Sequence, residues 1–73
     1  MNEKFKIKSY GWQELAVLYA PGITPHSATK RLAFWVFRNP QLYQKMQETG
    51  WKKKNKILTP EQVRILVYFL GEP

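Results

Sequence analysis

Apolar side chains recur at spacings of three and four residues in four stretches of the chain, which is the pattern of amphipathic helices. Polar residues, prolines and glycines separate these stretches, so the helices are short and each has one face for a shared core. We expect helices at about residues 12–20, 25–38, 40–49 and 60–70. The apolar stripes that define them are Trp12, Leu15, Ala16 and Tyr19; Ala28, Leu32, Trp35 and Val36; Leu42 and Met46; and Val63, Leu66, Val67 and Leu70.

Capping residues followed by proline mark three of these helix starts. A Thr or Asn side chain accepts a hydrogen bond from the free N–H groups of a first turn, and proline at the first helical position loses nothing because its missing N–H would be unpaired. Gly11 takes the cap position of the first helix ahead of Glu14, and Gly50 and Gly71 end the third and fourth helices. The three pairs are Thr24-Pro25, Asn39-Pro40 and Thr59-Pro60.

Charged and apolar residues alternate over residues 4–8, which is the periodicity of a strand. So short a strand needs a partner, and we expect it to pair with residues 56–58 in a two-stranded ribbon. A chain of 73 residues with a 44% apolar fraction suffices for one domain with a core. The sequence therefore predicts an all-α fold, a compact four-helix domain over residues 1–73 with a minor two-stranded ribbon.

The residue types that carry catalysis and metal binding are scarce in this chain. It has one histidine, His26, and no cysteine, so nucleophile–base pairs, disulfides and thiolate metal sites lack their parts. We therefore predict no catalytic residue, no metal site and no cofactor, and a protein that is not an enzyme. No apolar run is long enough to span a membrane, and the N-terminal segment is charged, so we expect a cytoplasmic protein without a membrane partner.

The net charge of +7 is unevenly distributed along the chain. No acidic residue occurs between Glu14 and Glu48 or between Glu48 and Glu61, whereas lysines and arginines occur in both intervals. Clustered cations bind polyanions because they release the counterions that condense on a nucleic acid. The alternative is a charged surface that only keeps the protein in solution. We favour a nucleic-acid partner.

A turn at Gly22-Ile23-Thr24 leads into a helix start with small polar residues at 25–31, and Glu14-Leu15-Ala16 lies in the helix before it. This arrangement resembles the turn and recognition helix of helix-turn-helix DNA-binding proteins. Such proteins place a second helix with small polar side chains in the major groove of double-stranded DNA, after a short turn that contains glycine. Here the connection is about two residues longer than usual and contains Pro21, so an ordinary helical hairpin is the alternative.

Two elements would form the DNA-binding surface of this helix-turn-helix-like pair. The second helix offers polar and basic side chains to base edges and phosphates. The lysines of residues 52–56 would contact phosphates, with Lys4, Lys6 and Lys8 adding backbone contacts, unless they are only a solvated surface. We expect a non-catalytic DNA-binding protein, a small helix-turn-helix regulator or accessory factor. The predicted DNA-binding residues are His26, Ser27, Thr29, Lys30, Arg31, Arg38, Lys52, Lys53, Lys54 and Lys56.

Aromatic residues outside the main apolar stripes allow functions other than binding to double-stranded DNA. Phe34 and Phe37 fall outside the main apolar stripe of the second helix, so that helix either packs on two sides or uses these rings in a homodimer or with a protein partner. Trp51 follows Gly50 and should pack in the core, although stacking on a single-stranded base is the alternative for its ring. The runner-up function is a protein-interaction module that docks an acidic partner through the basic face.

Short motifs spaced along the chain are also characteristic as a set: Glu14-Leu15-Ala16 with Tyr19, Thr24-Pro25 with Ser27-Ala28, Asn39-Pro40 with Leu42, Leu58-Thr59-Pro60 with Gln62-Val63, and Leu70-Gly71-Glu72-Pro73. As a set they resemble a family of short gut-bacterial proteins described as a domain of unknown function, number 4248. The resemblance covers about residues 5–73 and implies a stand-alone small protein. The resemblance implies no activity, no ligand and no catalytic residue.

Overall fold

Four α-helices and one small antiparallel sheet make up the computed structural model of the protein, which describes residues 5–73. The predicted fold class, mostly α-helical with a two-stranded ribbon, is confirmed. Each helix lies within one residue of its predicted bounds. In chain order the elements are β1 (Tyr10–Gly11), α1 (Trp12–Tyr19), α2 (Pro25–Arg38), α3 (Pro40–Glu48), β2 (Ile57–Leu58) and α4 (Pro60–Leu70).

The three predicted caps are all formed by side-chain hydrogen bonds. In each, the side-chain oxygen of the residue before proline accepts a hydrogen bond from a backbone N–H in the first turn of the helix, as an N-cap should. The chain therefore turns into each of these helices at the residue that the sequence predicts. The oxygen-to-nitrogen distances are 3.2 Å from Thr24 to Ser27, 3.1 Å from Asn39 to Leu42 and 3.2 Å from Thr59 to Gln62.

The cap of α4 also connects this helix to the end of α3. Gln62 accepts a hydrogen bond from the Thr59 N–H at 3.0 Å, which completes a capping box. The amide nitrogen of Gln62 donates to the Thr49 hydroxyl at 2.9 Å, and the Gln62 side chain is buried at 4% exposure. A buried amide with both ends bonded fixes the position of α4 against α3.

We expect the substitution Thr59→Ala to lower the free energy of unfolding by about 1 kcal/mol, because it removes the acceptor for one first-turn N–H. Thr59→Ser keeps a hydroxyl at the same place and is the matched control, with a loss of no more than a few tenths of a kcal/mol expected. Urea unfolding of the three proteins measures the difference. Equal stability of the alanine and serine variants would show that the cap contributes nothing.

The predicted strand at residues 4–8 is wrong in its position. Lys4 lies outside the described residues, and residues 5–9 form no strand; β1 is Tyr10–Gly11, with Tyr10 paired to Leu58 and Gly11 to Ile57. The physical reason is that β2 has only two residues before the chain turns into the cap of α4, so it offers no partner to a longer strand. The Ser9 hydroxyl donates to the Leu58 carbonyl at 2.8 Å, which ends the pairing.

The ribbon holds the start of α1 in place. The Gly11 N–H donates to the Glu14 carboxylate at 3.1 Å, and the Trp12 N–H donates to the Lys56 carbonyl at 2.7 Å. Glycine has no side chain to complete a capping box, so the basic loop after α3 supplies the second acceptor at this helix start. The loop and the N-terminal end of α1 are therefore joined.

Buried side chains form one cluster between the four helices and the ribbon, and a second where α1 crosses α2. The second is built mainly of alanines, which allow the two helix backbones to approach closely. Every side chain of the predicted stripes is buried or half-buried in these clusters. The first cluster contains Tyr10, Leu15, Val36, Leu42, Met46, Trp51, Leu58, Val63 and Leu66, and the second contains Ala16, Ala20, Ala28 and Leu32.

Gly50 ends α3 with a φ of +88°, a conformation that favours glycine. The Gly50 N–H donates to the Gln47 carbonyl at 2.9 Å, and the Trp51 N–H donates to the Met46 carbonyl at 3.2 Å, the paired bonds of a Schellman motif. Trp51 is only 3% exposed, as predicted for a residue packing back on the helix. Its ring therefore cannot stack on a base, and the single-stranded alternative built on Trp51 is wrong.

The end of α4 is connected to α1 through Tyr19. Its hydroxyl donates to the Gly71 carbonyl, directly after α4, where the φ of Gly71 is +85°. Burial raises the pKa of Tyr19 to about 12, and the nearby Glu72 carboxylate acts in the same direction. The Tyr19 hydroxyl therefore keeps its proton, and with it this hydrogen bond, well above neutral pH.

Candidate nucleic-acid interface

Helix α2 has one buried face and one exposed face. Ala28, Leu32 and Val36 are fully or almost fully buried against α1 and the core, because they recur every four residues. The opposite face is open to solvent. Its exposed side chains are His26, Ser27, Lys30, Arg31, Phe34, Phe37 and Arg38.

A shallow groove lies between this exposed face of α2 and the loop at residues 52–56. We call it the α2 groove; its volume is about 480 Å³, and it is lined by Trp12, Thr29, Lys30, Ala33, Phe34, Phe37 and Lys53. The loop reaches α2 directly, since the Lys53 ammonium lies 5.8 Å from the centre of the Phe37 ring. A basic residue of the helix and a basic residue of the loop therefore share one concave surface.

A second depression continues the α2 groove along the loop. We call it the loop groove; its volume is about 520 Å³. Thr29, Trp12 and Lys53 line both, so the two form one continuous surface. The loop groove adds Gly11, Gln13, Glu14, Lys54, Asn55 and Lys56 to it.

The electrostatic character of this surface is positive. Within residues 5–73, the ion pair that the structure contains joins Lys45 and Glu48 on α3, 3.8 Å apart. Glu14 is the one acidic residue that lines either groove, and its carboxylate already accepts the Gly11 N–H. Lysines from two elements therefore face the same space without carboxylate partners among the described residues, which favours an anionic ligand.

The structure brings together five of the predicted DNA-binding residues and leaves five outside the grooves. Thr29, Lys30, Lys53, Lys54 and Lys56 line the α2 groove or the loop groove. The other five are exposed but line neither groove. They are His26, Ser27, Arg31, Arg38 and Lys52.

Two of the predicted base-contacting hydroxyls are already engaged in local hydrogen bonds. Ser27 accepts a hydrogen bond from the Thr24 hydroxyl at 3.0 Å, so its own proton remains available to a ligand. Thr29 donates to the His26 carbonyl at 2.6 Å, so it can only accept from a ligand. In the major groove Thr29 could then pair with the amino groups of adenine or cytosine, and not with the acceptors of guanine.

Lys6 and Lys8 lie apart from this surface, and Lys4 is outside the described residues. Lys6 and Lys8 line a different depression, together with Leu18 and Glu72. Lys8 also lies 5.2 Å from the centre of the Tyr10 ring. The structure therefore does not join these lysines to the grooves at α2.

The aromatic lining of the α2 groove was predicted only in part: Phe34 and Phe37 were expected outside the main stripe, but Trp12 was not expected beside them. Trp12, expected to face inward, is only half-buried, and its ring packs on Trp51 with centroids 5.5 Å apart. Phe34 is 55% exposed and Phe37 is 40% exposed. The available signal was the position of Phe34 between Lys30 and Arg38, which places an aromatic ring inside a basic face.

The connection between α1 and α2 spans residues 20–24, which is longer than the three or four residues of the usual helix-turn-helix turn. Among residues 5–73 there is no helix of the length and apolarity that a bilayer crossing requires. In the same part of the chain, no three His, Cys, Asp or Glu residues are grouped so that they could hold a metal ion.

Comparison with known proteins identifies a family for this chain. A family model described as "Domain of unknown function (DUF4248)" matches residues 6–73. No curated protein and no solved structure matches the chain.

Proposed function

The chain belongs to the DUF4248 family, whose description assigns no activity, and from its own surface we propose that it is a non-catalytic protein that binds double-stranded DNA. The observation that carries the proposal is the convergence of Lys30 from α2 with Lys53, Lys54 and Lys56 from the loop on one continuous concave surface. A phosphate-binding surface typically combines positive charges from elements that are distant in sequence.

The proposed binding mode assigns different tasks to the two elements. Helix α2, as the second helix of a helix-turn-helix-like pair, presents His26, Ser27 and Thr29 to base edges in the major groove. Lys30 and the lysines of the loop contact phosphates, which position the protein without reading sequence. Arg31 and Arg38 add phosphate contacts beside the grooves, where the Arg38 guanidinium lies over the Phe34 ring. A regulator or accessory factor of this kind works in the cytoplasm, and a chain without cysteine suits that compartment.

The size of the surface sets the expected strength of binding. A single small module covers few base pairs, so most of its affinity comes from phosphate contacts. We therefore expect a dissociation constant of about 10⁻⁴ to 10⁻⁶ M for DNA of mixed sequence, with a steep dependence on salt. Tighter, sequence-specific binding would need a second copy or a partner protein beside it.

The substitution Lys30→Ala is expected to reduce the salt dependence of duplex binding, because it removes one phosphate contact. K here is the association constant for the duplex. The slope of log K against log salt concentration should fall in magnitude by about 0.9, and the affinity should fall by a similar factor for every DNA sequence tested. Fluorescence anisotropy of a labelled duplex at several salt concentrations measures the slope.

Arg64→Ala is the matched control for this prediction. Arg64 is exposed on α4 and lines a different groove, with Tyr68 and Lys45. Arg64→Ala changes the net charge by the same amount as Lys30→Ala but leaves the proposed DNA-binding surface unchanged. The slope of log K against log salt should therefore equal that of the wild type. The same slope for Lys30→Ala and Arg64→Ala would remove Lys30 from the interface.

A further inference from the structure

We propose that the α2 groove accepts one unpaired base of DNA, so that the protein binds DNA with an extrahelical nucleotide more tightly than it binds an uninterrupted duplex. The inference deepens the proposed function and rests on it. It names the form of DNA that this surface fits best. It starts from an aromatic lining that duplex binding through phosphates alone does not use.

The groove combines the two features of a stacking site for nucleic acid. Aromatic rings of Phe34, Phe37 and Trp12 line it, and the lysines Lys30 and Lys53 line it as well. Bases stack on aromatic side chains while neighbouring cations hold the phosphates, whatever the sequence. Paired bases within a duplex present only their edges, so these ring faces can be used only by a base that has left the stack.

Two rings of the groove, Phe37 and Trp12, are held in position by the core, whereas Phe34 is 55% exposed. Phe37 packs against Tyr43 with centroids 5.0 Å apart and against Trp51 with centroids 6.0 Å apart. Trp12 packs on the same buried Trp51 with centroids 5.5 Å apart. Because these rings are ordered before a ligand arrives, a base that stacks on them loses little of its stacking energy to ordering them.

Cations already lie over two of the ring faces. The Arg38 guanidinium is 5.2 Å from the centre of the Phe34 ring, and the Lys53 ammonium is 5.8 Å from that of Phe37. Both side chains are exposed, and both rings are accessible enough for a cation to reach them. The phosphate of an incoming nucleotide would attract these two cations away from the rings. The base of the same nucleotide would then stack on the ring face that the cations had covered.

The positive charge of the groove favours a nucleotide over a second copy of this chain as the group that binds there. Two copies that met through Phe34 and Phe37 would bring Lys30, Lys53 and Arg38 of each against the same cations of the other. Like charges in an interface oppose association. A nucleotide supplies an aromatic face and a negative charge together, and therefore complements both features of the groove.

Three labelled DNAs of otherwise identical sequence test the proposal by anisotropy. The first is an uninterrupted duplex, the second carries one extrahelical adenine, and the third carries an extrahelical abasic residue at the same place. The third interrupts the duplex at the same place and has the same number of phosphates as the second, but it has no base there. We expect the adenine bulge to bind the wild-type protein roughly 5- to 150-fold more tightly than the abasic bulge, the range of stacking of one base on aromatic side chains.

The variant Phe34→Ala should lose this preference, whereas Phe34→Tyr, which keeps a ring, should retain it. Phe34 is 55% exposed, so its removal leaves the core intact. Tyr68→Ala, which removes the 81% exposed ring on α4, is the control and should retain the preference.

Each other outcome has a defined meaning. Equal affinity for the three DNAs would overturn the stacking site while leaving duplex binding in place. Absence of binding to all three at low salt would overturn both proposals. Light scattering that shows a wild-type dimer and a monomeric Phe34→Ala variant would assign the ring to self-association, and would also overturn the stacking site.

Discussion

Replacing Lys30, Lys53, Lys54 and Lys56 together by alanine is expected to abolish measurable binding to duplex DNA while the protein remains folded. All four side chains line the surface formed by the α2 groove and the loop groove. If each contacts one phosphate, the slope of log K against log salt loses about 3.6, and the affinity at 50 mM salt falls on the order of 10⁴-fold. For a micromolar binder, that is beyond detection.

The matched control for this variant removes the same number of charges elsewhere. Lys6, Lys8, Lys45 and Arg64 line other parts of the surface and none of them lines either groove. Their joint replacement by alanine lowers the net charge equally, so any effect of charge alone appears in both proteins. We expect the control to keep most of the wild-type slope. Equal losses in the two variants would mean that DNA is attracted by the total charge and not by the proposed surface.

The largest expected effect on stability is that of Leu66→Ala. Leu66 is fully buried in the cluster that joins α4 to α1 and α3. Removing most of a buried leucine costs about 2–5 kcal/mol, because apolar contacts are lost and the neighbours close the cavity only in part. A domain of 73 residues has roughly 4–11 kcal/mol of stability in total, so this one change removes a large fraction of it.

Urea unfolding measures this loss, and fluorescence can follow it because the buried Trp51 is exposed to water on unfolding. Ile57→Ala is the control: Ile57 is 63% exposed in β2, and its loss should change the stability by less than about 1 kcal/mol. A loss for Leu66→Ala no larger than that for Ile57→Ala would contradict the core described above.

The helices were predictable because their signals are local. A capping side chain, a proline and an apolar stripe are all read within one stretch of the chain, and the bonds of Thr24, Asn39 and Thr59 form where those signals lie. The strand was not predictable from alternation alone. Its position depends on how many residues β2 can offer before α4 begins, and that is set by the distant Thr59 cap.

The candidate site was predictable as a set of residues but not as a surface. The lysines of α2 and of the loop can be read from the charge pattern. Their meeting depends on Trp51, which anchors the start of the loop in the core, and on the Trp12 N–H, which binds the Lys56 carbonyl near its end. The burial of Trp51 has a local signal in Gly50, whereas the bond between Trp12 and Lys56 has none because the two residues are far apart in sequence.

The aromatic lining of the α2 groove shows the same limit. Helical periodicity assigns Trp12 to the inner face of α1, but its ring lies at the edge of the core, where one side packs on Trp51 and the groove begins. Helical periodicity predicts which way a side chain points from its helix. It does not predict how far the core extends in that direction, and so it does not predict how deeply the side chain is buried.

The most direct test of DNA binding is a titration of the wild-type protein into a labelled duplex of mixed sequence, followed by anisotropy at 50 and 200 mM salt. We expect a micromolar dissociation constant at the lower salt, and a slope of log K against log salt of about −3.6 or steeper if the four groove lysines contact phosphates. No binding at 50 mM salt with about 100 μM protein, or binding that salt does not weaken, would contradict the proposal that this basic surface binds DNA.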